Sequence, residues 1–330
     1  MTTPTLCLLN QAFWDDFYGP EERRRIESLS RAPLRFHAWE SLREASEELT
    51  RTEVIFSGWG MPLCDPGFLA AAPRLKAIFY AAGSVRGFVT DALWERGIVV
   101  SSANRVLAVP VAEFTLGHIL LGLKMAWRHA VDMRMQRRPV QNAFPGLYGS
   151  VVGLVSFGTV ARHLLSLLRA FRLHVVVHDP FLSKEDAAAF GVTPVSLEEL
   201  FEVSHAVSVH TPWLPETEGM IRGHHLERMP KNASFINTAR GAVVNQPEMI
   251  EALRRRPDLQ AFLDVTHPEP PPAESALYEL PNVFLTPHIA GPQHHECRRL
   301  GEMAVDEFER YLKGEPLIGQ VERGMLGRIA

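Results

Sequence analysis

The sequence predicts an α/β protein of two domains, each a parallel sheet with helices on both faces. Three observations lead there. Short apolar runs alternate with amphipathic stretches along most of the chain. At 330 residues it is longer than one ordinary domain. A strand, a glycine-containing turn around residues 153–161 and a helix open the second series, and the first series has no phosphate loop of its own. A hydrophobic fraction of 46% and a charged fraction of 22% supply both halves with a core.

Taken in order, strands are expected at 6–10, 34–38, 54–58, 77–81 and 98–101, with helices at 21–30, 42–50, 66–72 and 91–96 between them. One long helix follows at 109–135, then a loop at 138–148. The second series has strands at 151–155, 174–178, 206–210, 234–237, 261–263 and 283–286. Its helices fall at 160–171, 197–202, 223–228 and 246–255, a doubly wound pattern. A last helix, 293–313, is long enough to cross back onto the first domain. The domains are therefore expected at 1–103 with 292–330, and at 104–291, with hinges near 102–105 and 290–292.

The bulk chemistry excludes several classes of function. A formal net charge of −4 does not suit a nucleic-acid surface, and the basic run Arg134 to Arg138 reads as a solvated helix end. Cys7, Cys64 and Cys297 are odd in number and form no CxxC pair, so neither a disulfide framework nor a metal site is expected. His118 reads as packed, and His294 and His295 as surface residues. The N-terminal stretch lacks the basic start and apolar run of a signal peptide. The most apolar helical stretch, 114–127, is interrupted by His118 and Lys124 and reads as too short and polar for a membrane span. A reduced, cytoplasmic location without membrane partners is the expectation.

The turn Gly153-Leu-Val-Ser156-Phe-Gly158-Thr-Val-Ala161 departs twice from the GxGxxG fingerprint of dinucleotide sites. Gly158 keeps the middle glycine, which lets backbone amides approach a pyrophosphate at the helix N-terminus. Ala161 is small enough for the third position. Ser156 is the anomaly, because the first position makes a tight turn where a side chain is crowded. Asp179 lies 21 residues after Gly158, at the end of the next strand. A carboxylate there suits the ribose hydroxyls of NAD and repels the 2′-phosphate of NADP.

Three further residues suit hydride exchange with a 2-oxo acid. Such a reaction needs a cation for the carboxylate, an acid for the carbonyl oxygen, and a group that orients that acid. Arg240 lies in Asn237-Thr-Ala-Arg240-Gly241 after one strand. Glu269 lies in Asp264-Val-Thr-His-Pro-Glu269-Pro270 after the next, and His288 in Thr286-Pro-His288-Ile-Ala-Gly291 after the last. A guanidinium binds carboxylate bidentately. Histidine delivers protons near neutrality, and a carboxylate beside it orients the ring.

These segments, with Ala206-Val-Ser-Val-His210-Thr211-Pro212, Thr217 and Val111-Ala-Glu113, resemble the D-2-hydroxyacid dehydrogenase family over about residues 50 to 315. The resemblance implies a Rossmann-like doubly wound NAD-binding domain inserted in a smaller flavodoxin-like α/β substrate domain. It implies a D-specific substrate, a small 2-hydroxy or 2-oxo acid. It puts substrate binding on Arg240, acid–base chemistry on His288 and support for that histidine on Glu269. Cofactor contacts would come from Gly158, Thr159, Val160, Asp179, His210, Thr211, Pro212, Thr217, Thr238, Ala239, Asp264 and Gly291. Backbone amides of Ala82, Gly83 and Ser84 would hold the substrate carboxylate. There the chain departs from the family: Val85-Arg86 replaces the usual Asp-Asn, which leaves the substrate's identity open.

The resemblance also implies a homodimer built through the long helix and the arm 130–148. Phosphite is disfavoured because relatives that oxidise it carry a lysine in the glycine loop, and formate because its enzymes place a different partner beside the histidine. The competing reading is an NAD(H)-binding regulatory or corepressor-like protein with little turnover, and Ser156 is the feature in its favour.

Overall fold

The computed structural model describes residues 2–38 and 46–327. The chain divides into two compact units, Met1–Leu107 with Pro292–Ala330, and Ala108–Gly291. In the first unit, β1 (Thr5–Leu9), β2 (Arg35–Ala38), β3 (Val54–Ser57), β4 (Ala77–Tyr80) and β5 (Val99–Ser102) are parallel neighbours. In the second, β6 (Val151–Val155), β7 (His174–His178), β8 (Thr193–Pro194), β9 (Ala206–Val209), β10 (Ser234–Asn237), β11 (Gln260–Leu263) and β12 (Val283–Leu285) form one parallel sheet. The chain then returns to the first unit, where β13 (Gln320–Val321) pairs antiparallel with β5.

The sheet orders are β13-β5-β4-β3-β1-β2 and β12-β11-β10-β9-β6-β7-β8. In each, the chain leaves the first strand to one side and later continues on the other. The crevice at that reversal is where open α/β sheets take ligands: β1/β3 in the first unit, β6/β9 in the second. Central strands such as Val-Ile-Phe-Ser of β3 and Ser-Phe-Ile-Asn of β10 are buried throughout, because helices cover both faces. The Arg298–Lys313 helix packs Leu300, Ala304, Val305 and Phe308 into the core of the first unit with Phe56 and Phe79.

The predicted 109–135 helix is two helices, Asn104–Leu123 and Ala126–Gln136. They are broken at Met125, whose φ is +48°. The Met125 amide donates to the Gly122 carbonyl at 2.8 Å, and the Gly146 amide caps Leu123 at 2.9 Å. Neither glycine nor proline stands at the break, so the periodicity ran through it.

The first of these helices also corrects the expectation for the apolar stretch 114–127. At 20 residues, with a mean hydropathy of 1.8 over an 18-residue window, it is long and apolar enough to cross a membrane. Its packing is that of a core helix. Ala112, Ile119 and Leu123 lie in one cluster with Val152, Leu154 and Ile236. The elements that escaped notice are short, among them Trp14–Phe17, Lys184–Phe190, β8 and β13. The predicted helix 42–50 is described only from residue 46, where Ser46–Arg51 is helical, and its first part lies outside the described residues.

Candidate active site

The turn after β6 leads directly into the Thr159–Leu168 helix, with Gly158 as its N-cap. A side chain at Gly158 would meet nothing within 4 Å, so the space before the first helical amides of Thr159 and Val160 is open. Ala161 is fully buried against the sheet, as a small third residue requires. Asp179 stands at the end of β7. Its two oxygens accept the amides of Phe157 and Phe181, each at 2.7 Å. Ser156 has φ +70°, and its hydroxyl lies 2.9 Å from that of Thr211.

At the other end of the same sheet edge, the Asn237 side chain shapes the segment after β10. It accepts the Ala239 amide and donates to the Arg240 carbonyl, both at 3.0 Å. Gly241 then lets the chain pass close to Thr266. A Cβ at Gly241 would fall 2.0 Å from the Thr266 carbonyl carbon. The Arg240 guanidinium donates 2.6 Å to Ala239's carbonyl and has no ion pair among the described residues. Burial lowers its pKa, and the charge of Glu269 opposes that shift.

Glu269 and His288 meet directly, with Nδ1 of His288 2.5 Å from Oε1 of Glu269. Both side chains are about half exposed. The histidine backbone sits at φ +54° and is held there by Asp264. The Asp264 carbonyl accepts the His288 amide at 2.9 Å. The Asp264 carboxylate accepts the Thr286 hydroxyl and the amides of Ile289 and Ala290, at 2.6 to 2.9 Å. Sequence reasoning placed Asp264 only toward the cofactor. Its clamp on the histidine loop was missed, because donors 22 to 26 residues away leave no local pattern.

Thr217 and Thr238 are committed within the fold, whereas His210 and Gly291 are not. Thr217 closes its own loop by donating to the Pro212 carbonyl at 2.6 Å. The Thr238 hydroxyl lies 2.9 Å from that of Thr115. His210 follows β9 with a buried Nε2 that has no hydrogen-bond partner among the described residues, and burial holds its pKa down at about 3. Gly291 has open space around it. In the first unit, Ala82 and Gly83 are buried after β4, and the Ser102 hydroxyl donates to their carbonyls at 3.0 and 2.6 Å. Arg86 in that loop is exposed.

The comparisons with known proteins fall on this arrangement. Residues 117–290 match the family model described as D-isomer specific 2-hydroxyacid dehydrogenase, NAD binding domain. A (S)-sulfolactate dehydrogenase of Chromohalobacter salexigens is 34% identical over 75% of this chain and 81% of its own. The chain belongs to the D-isomer specific 2-hydroxyacid dehydrogenase family. A D-3-phosphoglycerate dehydrogenase of Methanocaldococcus jannaschii is 29% identical over 74% of this chain but 47% of its own, so the chain spans about half that relative's length. The crystal structure of the TT0316 protein of Thermus thermophilus superposes with a TM-score of 0.77 at 27% identity, covering 96% of this chain and 100% of that one.

The residues present fit the NAD of a D-isomer specific 2-hydroxyacid dehydrogenase. Gly158 leaves an open cradle at a helix N-terminus, which suits an anionic pyrophosphate. Asp179 supplies a carboxylate just after β7, a group that suits the ribose hydroxyls of that cofactor.

A metal finds less here. Among the described residues one group, Glu198, His224 and His225, brings its ligand atoms within 4.8 Å of one another. The Nδ1 of His225 accepts the Arg222 amide at 3.0 Å, which puts the ring proton on Nε2, the atom facing Glu198. That nitrogen has no lone pair to offer.

Proposed function

We propose that the chain is an NAD-dependent dehydrogenase that interconverts a small 2-hydroxy acid of D configuration and its 2-oxo acid. The contact between His288 and Glu269, on a loop clamped by Asp264 and beside the segment of Arg240, carries this reading. In the reductive direction Arg240 takes the substrate carboxylate and polarises the 2-oxo group with its unpaired N–H groups. Its partial burial strengthens that attraction. NADH, when bound, supplies the hydride that C2 receives. His288 delivers a proton to the oxygen from Nε2, the ring nitrogen opposite the one Glu269 holds. Glu269 fixes the ring's orientation and stabilises the imidazolium. In oxidation the neutral ring takes the proton back.

The remaining carboxylate contacts are assigned to the amides of Ala82, Gly83 and Ser84. Cofactor contacts are assigned to Gly158, Thr159, Val160, Asp179, His210, Thr211, Pro212, Thr217, Thr238, Ala239, Asp264 and Gly291. We assign the enzyme to the cytoplasm as a homodimer formed through the Asn104–Leu123 helix and the arm 130–148. The Ala126–Gln136 helix supports the dimer, since none of its residues is buried although it carries Trp127, Val131, Met133 and Met135. Beside it lies a recess of about 370 Å³ lined by Phe114, His118, Trp127, Phe262 and Phe284.

The deciding experiment follows NADH and NADPH oxidation against glyoxylate, hydroxypyruvate, pyruvate, phenylpyruvate and 3-sulfopyruvate. Turnover with NADH that is abolished by His288→Ala is expected. Tight NADH binding with no turnover on any 2-oxo acid would replace this reading with a nucleotide-sensing one.

A further inference from the structure

The reversal point of the second sheet lies between β6 and β9, and two hydroxyls bridge it. Ser156 is the first residue after β6 and Thr211 the second after β9. Their side-chain oxygens are 2.9 Å apart. The Thr211 hydroxyl donates to the Val155 carbonyl at 3.3 Å. The shorter contact between the two hydroxyls is the tie across the crevice, and either hydroxyl can donate in it.

Ser156 holds φ +70°, a conformation glycine adopts freely and a residue with a Cβ resists. A serine persists there only where its surroundings compensate. On the β7 side, backbone bonds pin the turn: Ser156 N–H to the His178 carbonyl at 2.7 Å, and Phe157 N–H to the Asp179 carboxylate at 2.7 Å. On the β9 side the Ser156 hydroxyl is the tie. With both sides held, the open N-terminus of the Thr159–Leu168 helix is set before any ligand arrives, and less ordering is left for binding.

We propose that Ser156 is a positioning residue for the dinucleotide, and that its hydrogen bond to Thr211 across the β6/β9 crevice presets the cofactor turn. The proposal rests on the second unit being the NAD site. It turns the missing first glycine from a defect into a substitute device: a glycine supplies the turn by its freedom, and this serine supplies it by a bond.

The test is a mutant cycle read by NADH binding, from fluorescence titration or calorimetry, alongside steady-state kinetics. Ser156→Ala keeps the Cβ and loses the bond, so Kd for NADH is expected to rise 5- to 10-fold. KM for NADH should follow, with kcat at saturating NADH within twofold. Ser156→Gly loses bond and strain together and should recover most of the affinity, which also guards against an alanine variant that folds poorly. In a Thr211→Val background, Ser156→Ala should change Kd less than twofold. The proposal is overturned if Ser156→Ala costs the same affinity with and without Thr211, if Ser156→Gly binds as weakly as Ser156→Ala, or if kcat falls in place of affinity. A wild-type protein that binds no NADH would instead remove the cofactor reading on which the proposal stands.

Discussion

Arg240, Glu269 and His288 each follow a strand of the second sheet, and each has a separable consequence when changed. The guanidinium of Arg240 offers a planar fork that lysine lacks. Arg240→Lys is therefore expected to lower kcat/KM on the best 2-oxo acid by about 100-fold, with NADH affinity unchanged. Retention of more than a third of wild-type kcat/KM would remove the arginine from substrate binding. Glu269→Gln keeps an acceptor for Nδ1 but removes the charge that stabilises the imidazolium. A loss of roughly 10- to 100-fold in kcat, with melting temperature unchanged, is the expected result. Stopped-flow turnover at saturating substrate checks it, and an unaltered kcat would leave Glu269 with no part in the proton step.

Elements position these side chains through close approaches that tolerate few substitutions. Gly241 faces the backbone of Thr266 with no room for a methyl group. Gly241→Ala must push apart the segments that carry Arg240 and Glu269. We expect it to destabilise the fold by about 2 kcal/mol or more and to depress activity with it. Denaturant titration measures the first effect, and a melting curve like wild type would contradict the geometry.

The start of the Gly223–Arg228 helix carries a pH effect. Burial, with smaller contributions from His224 and Arg228 against the opposing Glu198, holds His225 down at about 4, below its ordinary 6.5. Above pH 6.5 the ring is neutral both folded and unfolded. Between 6.5 and 4 the unfolded chain binds a proton that the folded ring refuses, so stability is lost as pH falls. His210 adds to the same trend. The melting temperature should drop between pH 7 and 5. His225→Asn, which keeps an acceptor for the Arg222 amide, should drop less steeply, and an identical slope would exclude the histidine.

For the whole molecule, ligand and partner set the observable stability. NADH at 100 times its Kd should stabilise its unit by about 2.7 kcal/mol, which scanning calorimetry reads as a raised transition. Indifference to NADH would contradict the assignment of that unit. Light scattering is expected to return twice the mass of the chain. Val131→Glu with Met135→Glu should halve it, since two carboxylates on an apolar interface cannot be buried unpaired. A variant that keeps the doubled mass would move the interface elsewhere.

The sequence by itself determined the alternation of strands and helices and the parallel sheets, and it singled out the three residues proposed for the chemistry with the strands that present them. These are local properties: apolar runs, turn residues and strand ends are written in consecutive positions. Even Ser156 was visible, but only as a departure from a fingerprint. The tertiary structure decided what it bonds to, by placing Thr211 across the crevice 55 residues later. It likewise decided the clamp of Asp264 on the histidine loop, the passage of Thr266 over Gly241, and the break at Met125. Each depends on which strands become neighbours and in what register, and contacts between distant segments follow from packing that no short window of sequence contains.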